Sequence, residues 1–293
     1  MEPVLVVESS ECDARDVHHG VARAGFVSRS ASTIDDVRQF RAQSHSAILI
    51  GNLPPGLEFQ SLKSLLQEWY PQIPVVTITD VPGISPKEAL QAEVAGCLPK
   101  GSVDIDLGWT LQTILAQTPS KPDNAAWGFT IDNQPELLPL IVAQVRKQMD
   151  QWSFEDPIEP VRVIVALSEA LDNALYHGNL ELSSELRQGD GRAWREESQR
   201  RRSTPPYCDR RIRFQGVFTD QLAQFTIRDE GPGFDPSCQG DCTESQNLER
   251  CSGRGLLLMQ MYLDQVTFNR AGNEVTLVKN RPLASRDAGI ARS

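Results

Sequence analysis

Five short apolar runs near the start of the chain restrict its fold more than any other feature. They are VLVV (4–7), GFVS (25–28), AILIG (47–51), PVVTIT (74–79) and GCLP (96–99). Amphipathic stretches around 11–24, 32–43, 58–69, 85–95 and 103–117 separate them. Runs that are apolar nearly throughout, rather than at every second position, belong to strands buried on both faces. The helical stretches between them supply the crossovers that parallel pairing needs. Residues 1–118 are therefore expected to form a doubly wound, parallel α/β sheet.

The pattern changes after residue 118. TPSKPDNA (118–125) is polar and carries two prolines, so residues 119–126 read as a linker. Beyond it a strand near Trp127–Ile131 leads into two long helical patterns, at about 134–151 and 158–177. Strand signals recur at 211–218, 222–229, 264–270 and 274–279. Helices grouped first and strands later predict an α+β two-layer domain over 127–281. Residues 181–210 interrupt it as a polar insertion expected to be solvated and mobile. Across 187–213 nine arginines face four acids, a net of +5 in an otherwise acidic chain, and such a stretch could also dock a partner or steer an anion. Residues 234–252 read as a long polar lid, and 282–293 as a flexible tail.

The net charge of −10 over 293 residues argues against a general nucleic-acid-binding surface. No apolar run approaches the roughly 20 residues that cross a bilayer. MEPVLVVESS has no basic n-region, so a cytoplasmic protein with reduced thiols is expected. Cys238, Cys242 and Cys251 cluster in sequence, but their spacing fits no common zinc pattern and no histidine is near.

The chemistry concentrates in three segments of the second half. In SEALDNALYHGN (168–179), Glu169 and Asn173 stand four apart and share one helix face. A carboxylate there can take a proton from a hydroxyl, and the Asn173 carboxamide can hold a Mg²⁺. His177 lies one turn further on and is expected to cap or pack the helix end. The strand 222–229 ends in Asp229, followed by Glu230, Gly231, Pro232 and Gly233. A carboxylate at a strand end can accept from the exocyclic amine of adenine, and glycines beyond it let a base approach. SGRGLLLM (252–259) opens a helix whose free N–H groups form a phosphate cradle. Gly253, Gly255 and Leu256 line that cradle, and Arg254 can add a charge-assisted contact.

The order of these segments resembles the Bergerat ATP-binding fold of gyrase, heat-shock chaperone, histidine-kinase and mismatch-repair ATPases. The resemblance spans about 127–280. It implies ATP and Mg²⁺ as cofactors, with Asn173 on the metal, Asp229 on adenine, and Thr276 on the last strand helping to hold the base. Glu169, Asn173, the His177-Gly178-Asn179 ending and GRGLLLM look most like the bacterial anti-sigma-factor serine/threonine kinases. That likeness implies Glu169 as general base and, as partners, an anti-sigma antagonist or a sigma factor. The long insertion and the preceding domain depart from the usual single-domain pattern.

The first half has a flavodoxin-like layout and resembles a two-component receiver domain, with Thr79 ending the fourth strand and Lys100 after the fifth. The position expected for the phosphoacceptor aspartate is Gly51, and the acidic pair expected after the first strand is reduced to Glu8 followed by Ser9. The resemblance implies a pseudo-receiver used for docking or dimerisation. Two alternatives to the kinase stand beside it. One is an ATP-gated binding module without phosphoryl transfer. The other, a histidine kinase, lacks a helical hairpin for its phosphohistidine, since His18 and His19 fall in the first half.

Overall fold

A computed structural model describes residues 2–116, 124–152, 154, 156–183, 186, 191–236 and 253–282, with only the backbone described at 11, 12, 253 and 254. The first half runs β1 (Val4–Val7), α1 (Glu11–Arg23), β2 (Ser28–Ala31), α2 (Ile34–Gln39), β3 (Ala47–Ile50), α3 (Phe59–Trp69), β4 (Val75–Thr79), α4 (Pro86–Gln91), β5 (Gly96–Pro99) and α5 (Val103–Ala116). Its strands lie parallel in the order β2-β1-β3-β4-β5, a flavodoxin-like sheet. Every residue of β1, β3, β4 and β5 is buried, as continuous apolar runs require when helices cover both faces.

The second strand departs from expectation. Residues 25–28 were the apolar candidate, but pairing begins at Ser28, with Val4 opposite Ser28 and Val7 opposite Ala31. An edge strand can be polar because one side faces solvent, so SRSA pairs while Val27 stays 65% exposed.

The second half contains β6 (Ala125–Ile131), α6 (Leu138–Met149), α7 (Glu159–Asp172), α8 (Arg192–Arg202), β7 (Ile212–Phe218), β8 (Leu222–Arg228), α9 (Gly253–Tyr262), β9 (Gln265–Phe268) and β10 (Glu274–Asn280). Burial alternates along β7, β8 and β10, the mark of a sheet whose helices lie on one face. Phe129, Phe214, Phe218 and Phe225 fill the layer beneath α6 and α7.

The two halves are not strung on a linker. β6 pairs in parallel with β5, Gly96 opposite Gly128 and Cys97 opposite Phe129, and antiparallel with β7 along its whole length. One ten-stranded sheet and one hydrophobic core therefore run through the molecule. The two glycines let α5 lie directly on this seam, since a methyl group at Gly128 would stand 3.2 Å from the Thr110 backbone. On the other face α6 bonds to the α4 region, through Gln144 Nε2 to the Leu90 carbonyl at 3.0 Å and Lys147 to Glu93 at 2.5 Å. Of the expected linker, 119–123 lie outside the described residues, and Ala125 and Ala126 already belong to β6.

The insertion is also corrected where it is described. α8 packs against the C-terminal end of the α7 segment, with the Trp194 and Tyr176 rings 4.5 Å apart. Arg201 donates to the carbonyls of Leu180 and Glu181 at 2.7 and 2.8 Å, and Arg210 to that of Asn179 at 2.8 Å. These are orphan acceptors at a helix end, so part of the arginine excess serves as caps. Residues 184, 185 and 187–190, most of the expected lid (237–252) and the tail from 283 lie outside the described residues.

Candidate functional site

α7 starts on Glu159 and Pro160, continues to Asp172, and then widens into a π-helical segment, Asn173–Asn179. Leu180 N–H reaches the Leu175 carbonyl at 2.9 Å, a five-residue step. Such a turn rotates the last side chains relative to an α-helix and is frequent at functional sites. His177 Nδ1 bonds the Leu182 carbonyl at 2.7 Å, which ties down the chain leaving the helix, the role its sequence position suggested.

The end of this segment meets the loop after β8. A methyl group at Gly178 would lie 2.3 Å from the Asp229 carboxyl carbon, so the missing Cβ is what leaves room for that carboxylate. Asp229 Oδ1 accepts the Gly231 N–H at 2.8 Å, and the Asp229 N–H donates to the Asn273 carbonyl at 3.0 Å. Burial pushes the Asp229 carboxyl up to about 6, partly offset by the Gly231 bond. Gly231 does not line the cavity; it packs on the Gly178 carbonyl. Two residues given no role from the sequence, Asn179 of the family-like ending and Asn133, hold the loop. Asn179, fully buried, donates to Asn133 Oδ1 at 2.7 Å and accepts the Glu230 N–H at 2.8 Å. A polar residue after a helical glycine was the available signal.

A cavity of about 490 Å³ opens beside Asp229, lined among others by Asn173, Gly178, Gly233, Leu256, Met259 and Val275. That size suits a small-molecule ligand. α9 packs across α7 with Gly255 over the two polar side chains. A methyl group there would come 2.7 Å from Glu169 Oε2 and 3.5 Å from Asn173 Nδ2. Glu169, Asn173, the start of α9 and Asp229 are thus gathered around one helix and one cavity. Gly253 opens α9, and the Arg254 side chain lies outside the described residues.

Thr276 is a correction. Side chains alternate along a strand, and it is Val275 that faces the cavity with Ile227. Thr276 points to the opposite face, where its hydroxyl lies 3.3 Å from that of Thr226.

At the end of β3 a different arrangement replaces the expected acceptor. A methyl group at Gly51 would fall 2.0 Å from Glu8 Oε2, so the Glu8 carboxylate fills that space. It accepts from the Ser10 N–H, the Asn52 N–H and Asn52 Nδ2 at 2.8, 2.9 and 2.9 Å. Asn52 Nδ2 also reaches Asp13, and Lys100 pairs with Asp13 at 2.7 Å, holding that carboxyl below the usual carboxylate range. Among the described residues no group of histidine, cysteine and acidic side chains could hold a metal ion, and no helix is long and apolar enough to cross a membrane. Cys97 is buried, which pushes its thiol far up and leaves it unreactive. The Cys238, Cys242 and Cys251 group lies outside the described residues.

Residues 132–279 match the family model of the histidine kinase-like ATPase domain. The chain belongs to that family. No curated protein matches this histidine kinase-like ATPase chain. Similar solved structures include a response regulator receiver domain protein from Clostridium thermocellum, 15% identical, covering 40% of this chain and 95% of that one with a TM-score of 0.36. Another is the signal receiver domain of a signal transduction histidine kinase from Syntrophus aciditrophicus, 18% identical over 41% and 95%, TM-score 0.36. A third is the response regulator DrrB of Thermotoga maritima, an OmpR/PhoB homologue, 14% identical over 60% and 89%, TM-score 0.36.

Proposed function

We propose that this ATPase-family chain is an ATP-dependent serine/threonine protein kinase of the anti-sigma-factor type, acting on a regulatory partner protein. The observation that carries the reading is Glu169 and Asn173 on one helix face, against the start of α9 and beside the Asp229 cavity. The cavity fits a nucleotide chemically, because a buried carboxyl stands where a Cβ has been omitted for it. Asp229 accepts from the exocyclic amine of adenine, the N-terminal amides of α9 take the phosphates, and Arg254 supplies a charge for them by its place in the sequence. Asn173 is the residue that would hold Mg²⁺, which supplies charge neutralisation to the phosphates when bound.

Glu169 takes the proton of the partner's hydroxyl as its oxygen bonds to the γ-phosphorus and the bond to the β-phosphate oxygen breaks, leaving ADP. The first half serves as a pseudo-receiver for docking or dimerisation, since Gly51 offers no carboxylate to phosphorylate. The partner is an anti-sigma antagonist or a sigma factor.

The test is incubation of the full chain with γ-labelled ATP and candidate antagonists. Acid-stable label on a serine or threonine, lost in Asn173→Ala, is expected. Equal, background labelling by native protein and variant would sink the kinase reading. Regulation that survives in Glu169→Gln would point instead to ATP-gated binding without transfer.

A further inference from the structure

Asp106 lies on α5, in the first half, and is 2% exposed. Its Oδ1 accepts from Arg213 Nε at 2.6 Å, while its Oδ2 is buried without a partner. Burying a carboxylate this deeply is costly without a partner cation, and among the described residues its ion-pair partner is Arg213. Arg213 sits on β7, on the sheet face that α5 covers, and its side chain is 16% exposed. Its Nη1 donates to Glu230 Oε1 at 2.8 Å. Glu230 is the residue after Asp229, and its Oε2 accepts the Arg211 N–H at 2.9 Å while its own N–H is held by Asn179.

An unbroken chain of charged contacts therefore leads from a helix of the first half to the loop that carries Asp229. Arginine suits this place because its planar guanidinium can hold two carboxylates at once in fixed directions. Neither Asp106 nor Arg213 lines the cavity.

We propose that Asp106 is a positioning residue for the nucleotide site: through Arg213 and Glu230 it fixes the Asp229–Gly233 loop, so that α5 of the first half sets nucleotide affinity in the second. This rests on the reading of Asp229 as the adenine acceptor. The route is short and consists of direct contacts, so it needs no long-range pathway. Movement of α5 by a partner bound to the first half would be felt at Asp229 through the same bridge.

The experiment compares full-length native protein with Asp106→Asn, Asp106→Glu and the double variant Asp106→Leu, Arg213→Met. Affinity for Mg-ATP is measured by calorimetry, and amide hydrogen exchange over 229–233 in the ligand-free chain. Asp106→Asn is expected to bind about 10-fold more weakly, a coupling of ordinary size between sites, and to exchange faster over 229–233. Asp106→Glu, which keeps the charge, should recover part of both. The double variant removes both buried charges, which such sites tolerate, and should release the loop in a folded chain even if Asp106→Asn does not fold. Native exchange rates over 229–233 in a folded variant lacking the bridge would overturn the inference, as would lowered thermal stability with native affinity and exchange. If native protein takes up no nucleotide, the kinase reading fails, while the exchange measurement still decides the bridge.

Discussion

The ends of β3 and β8 make an instructive pair. At each, a glycine leaves out a Cβ and a carboxylate occupies the room: Glu8 against Gly51, Asp229 against Gly178. Around Glu8 the polar groups close on themselves, since Ser10, Asn52, Asp13 and Lys100 satisfy one another. Glu8 and its partners line a smaller cavity of about 180 Å³, whereas Asp229 borders one of about 490 Å³, and burial raises its carboxyl to about 6. A closed network stabilises a fold. A carboxylate kept desolvated beside a cavity costs stability, which marks it as a candidate ligand-binding group.

The largest effect that would test the contrast is chemical. Glu169→Gln should lower phosphoryl transfer by about 10²- to 10⁴-fold while nucleotide affinity changes little, a split readable by single-turnover kinetics against calorimetry. Unchanged transfer would remove Glu169 from the mechanism. Next, Gly178→Ala should weaken Mg-ATP binding by roughly 100-fold, because the methyl group displaces the Asp229 carboxylate, and a charge-assisted contact with its desolvation is at stake. A variant with native affinity would detach Asp229 from the nucleotide.

Asp229 also predicts opposing responses to pH. Its folded value of about 6 lies above the roughly 3.9 of an unfolded aspartate, so between these the folded chain holds a proton the unfolded chain has lost. The stability of the ligand-free protein should therefore fall as pH rises through about 4 to 6. Nucleotide affinity should rise with pH and level off above about 6, losing up to about 10-fold for each unit below it. Asp229→Asn should flatten both profiles and raise ligand-free stability at pH 7 by on the order of 1–3 kcal/mol. Thermal unfolding and titration across pH 4–8 would show whether the two curves run in opposite directions.

The smallest expected effect belongs to the closed site. Gly51→Ala crowds Glu8 and should cost about 1–3 kcal/mol of stability, with nucleotide affinity within about 2-fold of native. Loss of binding in that variant, by the same calorimetry, would show that the first site is not self-contained.

Much of this was legible in the residues. Strands β1 and β5 were read to the residue because apolar runs of that length have few other uses. Helix α7 with Glu169, and Asn173 just beyond it at the start of the π-helical segment, followed from a four-residue spacing that fixes a shared face. Other features could not be read, because they depend on neighbours distant in sequence. The shift of β2 needed knowledge that it is an edge, and Thr276 was assigned inward because a strand's period shows which residues share a face but not which face is covered. Arg201 and Arg210 read as part of a solvated run, because the carbonyls they cap lie some 20 to 31 positions earlier in the chain.

The sequence by itself determined the order of elements apart from α8, the covering of the sheet by helices, and the residue types offered to a nucleotide, since these follow from local periodicity and spacing. Only the tertiary structure decided that one sheet crosses both halves at Gly96 and Gly128, that Glu8 fills the place beside Gly51, and that Asp106 reaches Glu230 through Arg213. These are contacts between residues from 17 to more than 100 positions apart, and the pairing of distant side chains is set by packing of the whole rather than by any stretch of chain.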